Sequence, residues 1–461
     1  MDTVGKVSFD NALAIPPLAP SRVAADGRRV FELTAQPGRS EFRPGQHADT
    51  WGFNGAYLGP TLRMRRGEKV AVKARNALPE ATTVHWHGMH LPAIADGGPH
   101  QMIDPGDSRT PSWRVDQPAA TLWYHPHPHG ATEGQVRRGL AGMVIVDDDA
   151  EASLPLPRDY GVDDVPVIVQ DVRLDDDGHL AEGRQAEVGQ LGDTLLVNGT
   201  IGPYHEVRAE LTRLRLLNAS TARIYDFGLS DGRELTLIAT DGGLLGKPYR
   251  TDRIRLSPGE RAEVVVAMAP GEDLTLRSFP ADLGASSSNT RDAGGDDSFD
   301  VLRLRANDTL ASSPPLPDRL APLQRLNPAD AAQTRSFELR SRRINDKKMN
   351  MRRIDTVVTK DTIEVWKVVN GHGRPHNFHI HDVQFQVLSV DGAPPPPELA
   401  GWKDTVYLPP RVPIRLIMRF ADYADPATPY MYHCHLLRHE DRGMMGQFVV
   451  VEPGQRPVSG R

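Results

Sequence analysis

The chain has 461 residues, too many for one hydrophobic core, and its length argues for about three domains. A formal net charge of -6 without a concentrated basic run gives no electrostatic case for nucleic acid, and no apolar stretch approaches the ~20 residues of a membrane-spanning helix. A single cysteine, Cys434, excludes an intramolecular disulfide and leaves the redox compartment open.

The first residues, MDTVGKVSFDNALAIPPLAPS, have neither a sustained apolar core nor a twin-arginine pair, so they are not an export signal as they stand. The expectation is a cytoplasmic protein if the chain is complete, and a periplasmic or extracellular one if a signal has been removed. From Phe31 onward, short runs containing Val, Leu and Thr alternate with Gly, Pro, Asn and Asp, as in EKVAVKARNAL, GLAGMVIVDDD and RAEVVVAMAP; long amphipathic helices are absent. The pattern is all-β and predicts three consecutive β-sandwiches. The first spans residues 1–150 and closes where GLAGMVIV gives way to acids and prolines. The second spans 151–308, a Pro-, Ser- and Ala-rich linker follows over 309–334, and the third occupies 335–461. Ala281 to Asp300 is rich in Gly, Ser and Asp and reads as a mobile, solvated loop, and PPPPE at Pro394 to Glu398 as a rigid turn.

Ten of the 17 histidines fall in four places: His85 and His87 in HWHG; His125 and His127 in WYHPHPHG; His376, His379 and His381 in HNFHIHD; and His433, His435 and His439 around Cys434 in MYHCHLLRHEDRGMM. On a strand, side chains at i and i+2 share a face, so each H-x-H pair aims two imidazoles one way and four pairs can converge on one metal cluster. The same parity sends Cys434 to the face opposite His433 and His435, and His376 to the face opposite His379 and His381. Cys434, His439 and a weak axial Met444, with His376 as second imidazole, are the ligand set of a mononuclear blue-copper site. The eight paired histidines are left for the cluster. Neighbouring residues on one strand would then serve two metal sites.

These four motifs, two near each end of the chain, resemble the signature of the multicopper oxidases, laccase-like enzymes with three cupredoxin domains. TWGFNGAYLGPTL, VDQPAATLWYHPHPHG, DDVPVIVQD, GDTLLVNG, LRLLNAS, IATDGGLL, GWKDTV and HCHLLRHEDRGMM are similar to the bacterial copper-efflux oxidases of that family over most of their length. The resemblance implies three cupredoxin-like Greek-key sandwiches and four copper ions. It assigns one type 1 ion to His376, Cys434, His439 and Met444, one type 2 ion to His85 and His379, and a type 3 pair to His87, His125, His127, His381, His433 and His435. It implies electrons taken singly at the blue copper and passed along Cys434, His433 and His435, with dioxygen reduced to water. Two proton-handling carboxylates are implied: Asp96, after HWHGMHLPAI, and Glu440, directly after His439.

The chain also departs from that pattern. The copper-efflux oxidases carry a methionine-rich insert over the blue copper, which is missing here; the nearest methionines are Met349 and Met351 in KKMNMRR. Their cuprous-binding Asp and Met before the third motif are replaced by His372 and Arg374. An uncovered site favours phenols and aromatic amines as reductants, with cuprous or ferrous ion as the alternative. Copper-free cell-division relatives on the same scaffold and copper nitrite reductases are the rival readings. Asp382 stands where the family usually has Gly, as a partner for an imidazole N–H or as a turn residue. His90, His100 and His129 match no ligand position, with His129 expected to sit behind a ligand. The expected state is a monomer with dioxygen and a small reductant as partners.

Overall fold

A computed structural model describes residues 1–458. Strands predominate and helices are short, and the strands form three cupredoxin-like sandwiches. In the first, the sheet carrying His85–His87, Ala120–His125, Gly142–Asp147 and Leu62–Arg65 packs on a second sheet built from Arg29–Arg43 and Lys69–Asn76. Alternation along these strands turns Phe31, Leu33, Val70 and Val72 toward Trp86, Leu122, Tyr124 and Val144. Removing such side chains from water is the main stabilising term, about 1.5–3 kcal/mol for each large one.

The middle sandwich sets Asp164–Leu174, Leu211–Asn218 and Arg261–Ala267 against Phe299–Ala311, Asp273–Phe279 and Tyr225–Leu229. Asn11–Ala12 runs parallel to Pro203–Tyr204 at its edge. From Ala311 the chain crosses the surface, with Leu320 buried against the middle core, and enters the third sandwich at Ala331 after a single 3-10 turn at Pro328–Asp330.

In the third sandwich, Thr362–Asn370 and Pro413–Phe420 lie in one sheet and Met445–Val451, Tyr430–His433, His376–Ile380 and Thr405–Leu408 in the other. Trp366, Phe337, Phe378, Tyr432 and Phe448 fill the space between them. Among the described residues, no helix is long and apolar enough to cross a membrane.

The Ala281 to Asp300 segment is packed, unlike the solvated loop its composition suggests. Leu283 is fully buried in the third core, Ser286 caps a helix over Ser287–Asp292, and Asn289 donates from Nδ2 to the Gly373 carbonyl at 2.8 Å. Ala281 and Ala293 are buried beside Leu283 and Phe299 is buried in the middle core, so apolar anchors along the segment and one cap hold the polar residues between them.

Candidate metal centre

Two strand pairs assemble the eight H-x-H histidines. His85–His87 is antiparallel to Ala120–His125, with His85 opposite His125, and His376–Ile380 is antiparallel to Tyr430–His433, with His379 opposite His433. His127, His381 and His435 lie just beyond the strand ends and are held by backbone bonds: His127 N–H to Thr83 Oγ1 at 2.7 Å, His381 N–H to the Met431 carbonyl at 3.0 Å, and His435 N–H to Asn377 Oδ1 at 2.6 Å. The strand ends at His433 rather than running through the HCH triplet, yet the alternation persists: His433 and His435 face the cluster and Cys434 faces away. All eight rings are buried.

Their outer nitrogens are tied to acceptors. Nδ1–H of His85 donates to the Asp96 carbonyl (2.8 Å), that of His379 to the Asp404 carbonyl (2.9 Å), that of His125 to the Pro126 carbonyl (2.8 Å) and that of His433 to the Cys434 carbonyl (3.1 Å). His381 donates from Nδ1 to Asp96 Oδ2 at 2.7 Å. A carbonyl can only accept, so these rings carry their proton on Nδ1 and turn the Nε2 lone pair inward. His87 is reversed: its Nε2 donates to Asp404 Oδ1 at 3.0 Å and its Nδ1 faces inward.

The inward atoms then meet lone pair to lone pair. His381 Nε2 is 3.2 Å from His433 Nε2, and His87 Nδ1 is 3.4 Å from His125 Nε2, with no proton available between either pair. Nε2 of His85 and of His379 are buried without a partner. Unpaired buried nitrogens are costly, and shared cations remove that cost. Burial first, then neighbouring imidazoles, pushes the pKa values of His125, His127, His381, His433 and His435 well below the usual histidine range, so the rings are neutral as a metal requires. Ligand atoms close enough to share an ion group as His87, His125 and His435; His127, His381 and His433; and His85, His87 and His379.

On the other face, Cys434 Sγ lies 3.7 Å from His376 Nδ1 and 3.6 Å from His439 Nδ1, and those two nitrogens are 3.0 Å apart. His439 sits on the short helix Leu437–Asp441 and donates from Nε2 to the Glu187 carbonyl at 3.0 Å, which leaves its Nδ1 as lone pair. Burial pushes the Cys434 thiol up to about 12, so a thiolate here needs a cation beside it. Met444 is buried next to both, its N–H donating to the His439 carbonyl (2.9 Å) and its carbonyl accepting from Cys434 N–H (3.1 Å). Soft sulfur and neutral imidazoles in this combination suit copper.

Both carboxylates singled out in the sequence lie against the histidines. Glu440 brings Oε1 to 3.4 Å from His127 Nδ1 and Oε2 to 3.2 Å from His433 Nδ1. Burial, aided by Asp441, raises its carboxyl well above the usual range. Asp96 bonds His381 and keeps Oδ1 without a hydrogen bond.

Asp382 takes a left-handed backbone, φ 70°, as the family's glycine would, and its Oδ1 is 2.8 Å from His90 Nδ1. Burial lowers the His90 pKa, but Asp382 outweighs that and lifts it to about 9, so the imidazole that Asp382 serves belongs to no metal set. His100 bonds Gln447, and His129 is exposed at the surface rather than behind a ligand. Asp404, Thr405, Arg261 and Asn377 are contacts that the histidine pattern did not disclose; they lie in GWKDTV, RAEVVVAMAP and HNFHIHD, stretches that pointed to the family, to a strand and to the ligands rather than to these roles.

Comparison with known proteins agrees with this geometry. Models described as multicopper oxidase match residues 34–151, 169–278 and 315–454. The chain is 36% identical over 446 residues to the multicopper oxidase mco of Staphylococcus haemolyticus, covering 95% of this chain and 92% of that one. It is 40% identical over 454 residues to the cell division protein FtsP of Xenorhabdus nematophila, covering 96% and 93%. Among solved structures, the bacterial laccase-like multi-copper oxidase CueO from Ochrobactrum sp., which has oxidase activity towards lignin model compounds and lignosulfonate, matches with a TM-score of 0.87 and 36% identity over 95% of this chain and 100% of that one. With its three sandwiches, its converging imidazoles and this likeness along nearly its full length, the chain belongs to the multicopper oxidase family.

Proposed function

We propose that this protein is laccase-like, coupling one-electron oxidation of phenols and aromatic amines to the four-electron reduction of dioxygen to water. Four copper ions would be held: type 1 by His376, Cys434, His439 and Met444; type 2 by His85 and His379; and a type 3 pair by His87, His125 and His435 on one side and His127, His381 and His433 on the other. The inward lone pairs support this division. When bound, copper supplies one-electron redox chemistry between the donor and dioxygen. The chain's own residues connect and supply the two sites. Cys434 is covalently adjacent to both His433 and His435, so the backbone is the shortest link between them. Burial raises the Glu440 carboxyl well above the usual range beside His127 and His433, and Asp96 offers an unpaired oxygen beside His381; both are placed for the proton supply that oxygen reduction needs.

The choice of donor is carried by the cavity beside His376 and His439, about 260 Å³ in volume. Its one carboxylate, Glu187, is engaged by Arg342 at 2.5 Å and approached by Arg374 at 3.9 Å, and no methionine among the described residues lines it. Ser341 and Arg342 form a tight turn with φ 50° and 58° that sets one guanidinium over the site. A metal cation would meet two guanidinium charges there, whereas a planar ring can lie against them. His376 lines the cavity wall, and its Nε2, buried just beneath that wall, has no hydrogen-bond partner. The test is turnover with a phenol, ferrous ion and cuprous ion on one copper-loaded preparation. Faster turnover with either ion would replace this reading by a metal-ion oxidase.

The likeness to FtsP favours a second reading, a copper-free scaffold in cell division. It predicts a colourless protein after copper loading; an intense blue thiolate-to-copper band is the outcome expected here.

A further inference from the structure

The middle sandwich supplies no ligand to either proposed copper site, yet its turn at residues 257–261, between the Ile254–Leu256 and Arg261–Ala267 strands, lies against both. On the Cys434 side, Asn377 donates from Nδ2 to Ser257 Oγ at 3.0 Å and to the Pro258 carbonyl at 2.8 Å. Its Oδ1 accepts the His435 N–H at 2.6 Å and faces Cys434 Sγ at 3.5 Å. The Pro258 carbonyl can only accept and the His435 amide can only donate, so the Asn377 side chain has one possible orientation. The Cys434–His435 peptide, the covalent link between the two sites, is thereby docked on the turn.

On the cluster side the backbone itself makes the approach. Gly259 has φ 88°, and a Cβ there would lie 3.1 Å from His87 Cε1 and 3.2 Å from the His435 ring. Arg261 commits all five N–H groups: Nε to the Thr121 carbonyl, Nη1 to the Gly259 carbonyl and Asp404 Oδ1, and Nη2 to the Asp241 carbonyl and Asp404 Oδ2, at 2.6 to 3.0 Å. A fully satisfied, bidentate guanidinium fixes the carboxylate it holds. Asp404 Oδ1 then orients His87, its backbone carbonyl orients His379, and Thr405 Oγ1 bridges the two at 3.1 Å from each. The turn is locked in its place: Glu260 Oε2 accepts from Ser257 N–H (2.8 Å) and Oγ–H (2.7 Å), and Glu260 Oε1 pairs with Lys403 of the third sandwich at 3.1 Å.

We propose that this turn of the middle sandwich is a positioning element shared by both copper sites, with Ser257 and Pro258 acting through Asn377 on the Cys434–His435 link and Arg261 acting through Asp404 on His87 and His379. The inference depends on the ligand sets proposed above. It makes the ligand-free sandwich the part that keeps the two sites in register, and the two arms separable.

The test uses the copper-loaded full chain with Ser257→Ala and Arg261→Lys. Ser257→Ala should shift the thiolate absorption band and the blue-copper reduction potential while copper at the histidine cluster is retained. Arg261→Lys should lower cluster copper affinity by about 10-fold or more against a competing chelator, with the blue band unchanged. Should Arg261→Lys fail to fold by circular dichroism, Thr405→Val carries the same measurement on the cluster arm. Folded variants that leave both sites unaltered, or disturb both to the same extent, overturn the proposal. Wild-type protein that takes up no copper overturns the ligand assignment and this inference with it.

Discussion

His87 and His379 stack with ring centroids 3.7 Å apart and planes 10° from parallel, yet they turn opposite nitrogens to the cluster. Asp404 is the cause: its side chain accepts from His87 Nε2 and its main-chain carbonyl from His379 Nδ1. Burial would raise the Asp404 pKa, but Arg261 and the adjoining imidazoles hold it well below the usual carboxylate range, so the group stays a charged acceptor. Two rings a van der Waals contact apart are thus given different tautomers by one residue.

Nitrogen-15 NMR of the metal-free protein should therefore find His87 protonated on Nε2 and His85, His125, His379, His381 and His433 protonated on Nδ1. A His87 signal of the Nδ1–H form would mean that Asp404 does not orient it.

Cys434→Ser should abolish the blue band and phenol oxidation while copper remains at the histidine cluster, because the hydroxyl replaces a soft ligand and no cluster imidazole is touched. Copper content by mass spectrometry and oxygen uptake with a phenol read the two effects separately. A variant that still oxidises phenol would remove the thiolate from the electron route.

Acidification should destabilise the metal-free protein steeply. Burial depresses His125, His127, His381, His433 and His435 in the folded state, and lowers His439 to about 4, whereas the unfolded chain titrates near 6.5. The unfolded state then binds more protons below about 6.5, so this contribution is present above that pH and is lost as pH falls, by about 1.4 kcal/mol per pH unit for each such group. Thermal unfolding from pH 8 to pH 5 should show a falling midpoint, with copper-loaded protein higher at every pH where copper stays bound. A midpoint that is flat across this window would contradict neutral, buried imidazoles.

Much of this centre was legible because it is local. The period of two along a strand put His433 and His435 opposite Cys434 and His376 opposite His379, and those offsets hold in three dimensions even though the strand stops at His433. Composition misread residues 281–300, since a few spaced apolar residues, Ala281, Leu283, Ala293 and Phe299, anchor them in the cores and a Gly- and Ser-rich average conceals it. Arg261 was illegible for a different reason: its guanidinium gains meaning only from Asp404 and Thr121, each far away in the chain and in a different sandwich, and no spacing rule connects them. His129 adjoins a motif in sequence but points to solvent, so adjacency alone misplaced it.

Glu440→Gln tests the proton supply. The amide has nearly the same shape, so copper content and the blue band should be unchanged, and the first reduction of the blue site by phenol in a stopped-flow mixing experiment should keep its rate. Oxygen consumption at steady state should fall by about 100-fold or more, the scale of a lost positioned acid. The fall should be larger at high pH than at low pH, because solvent protons can substitute for the missing donor only when they are abundant. The physical ground is that Glu440 is buried between His127 and His433 with its carboxyl raised well above the usual range, which keeps it protonated where an exposed glutamate would be ionised. Unchanged oxygen consumption in a fully copper-loaded Glu440→Gln protein would leave Asp96 as the acid at the cluster and reduce Glu440 to a polar spacer between two ligands.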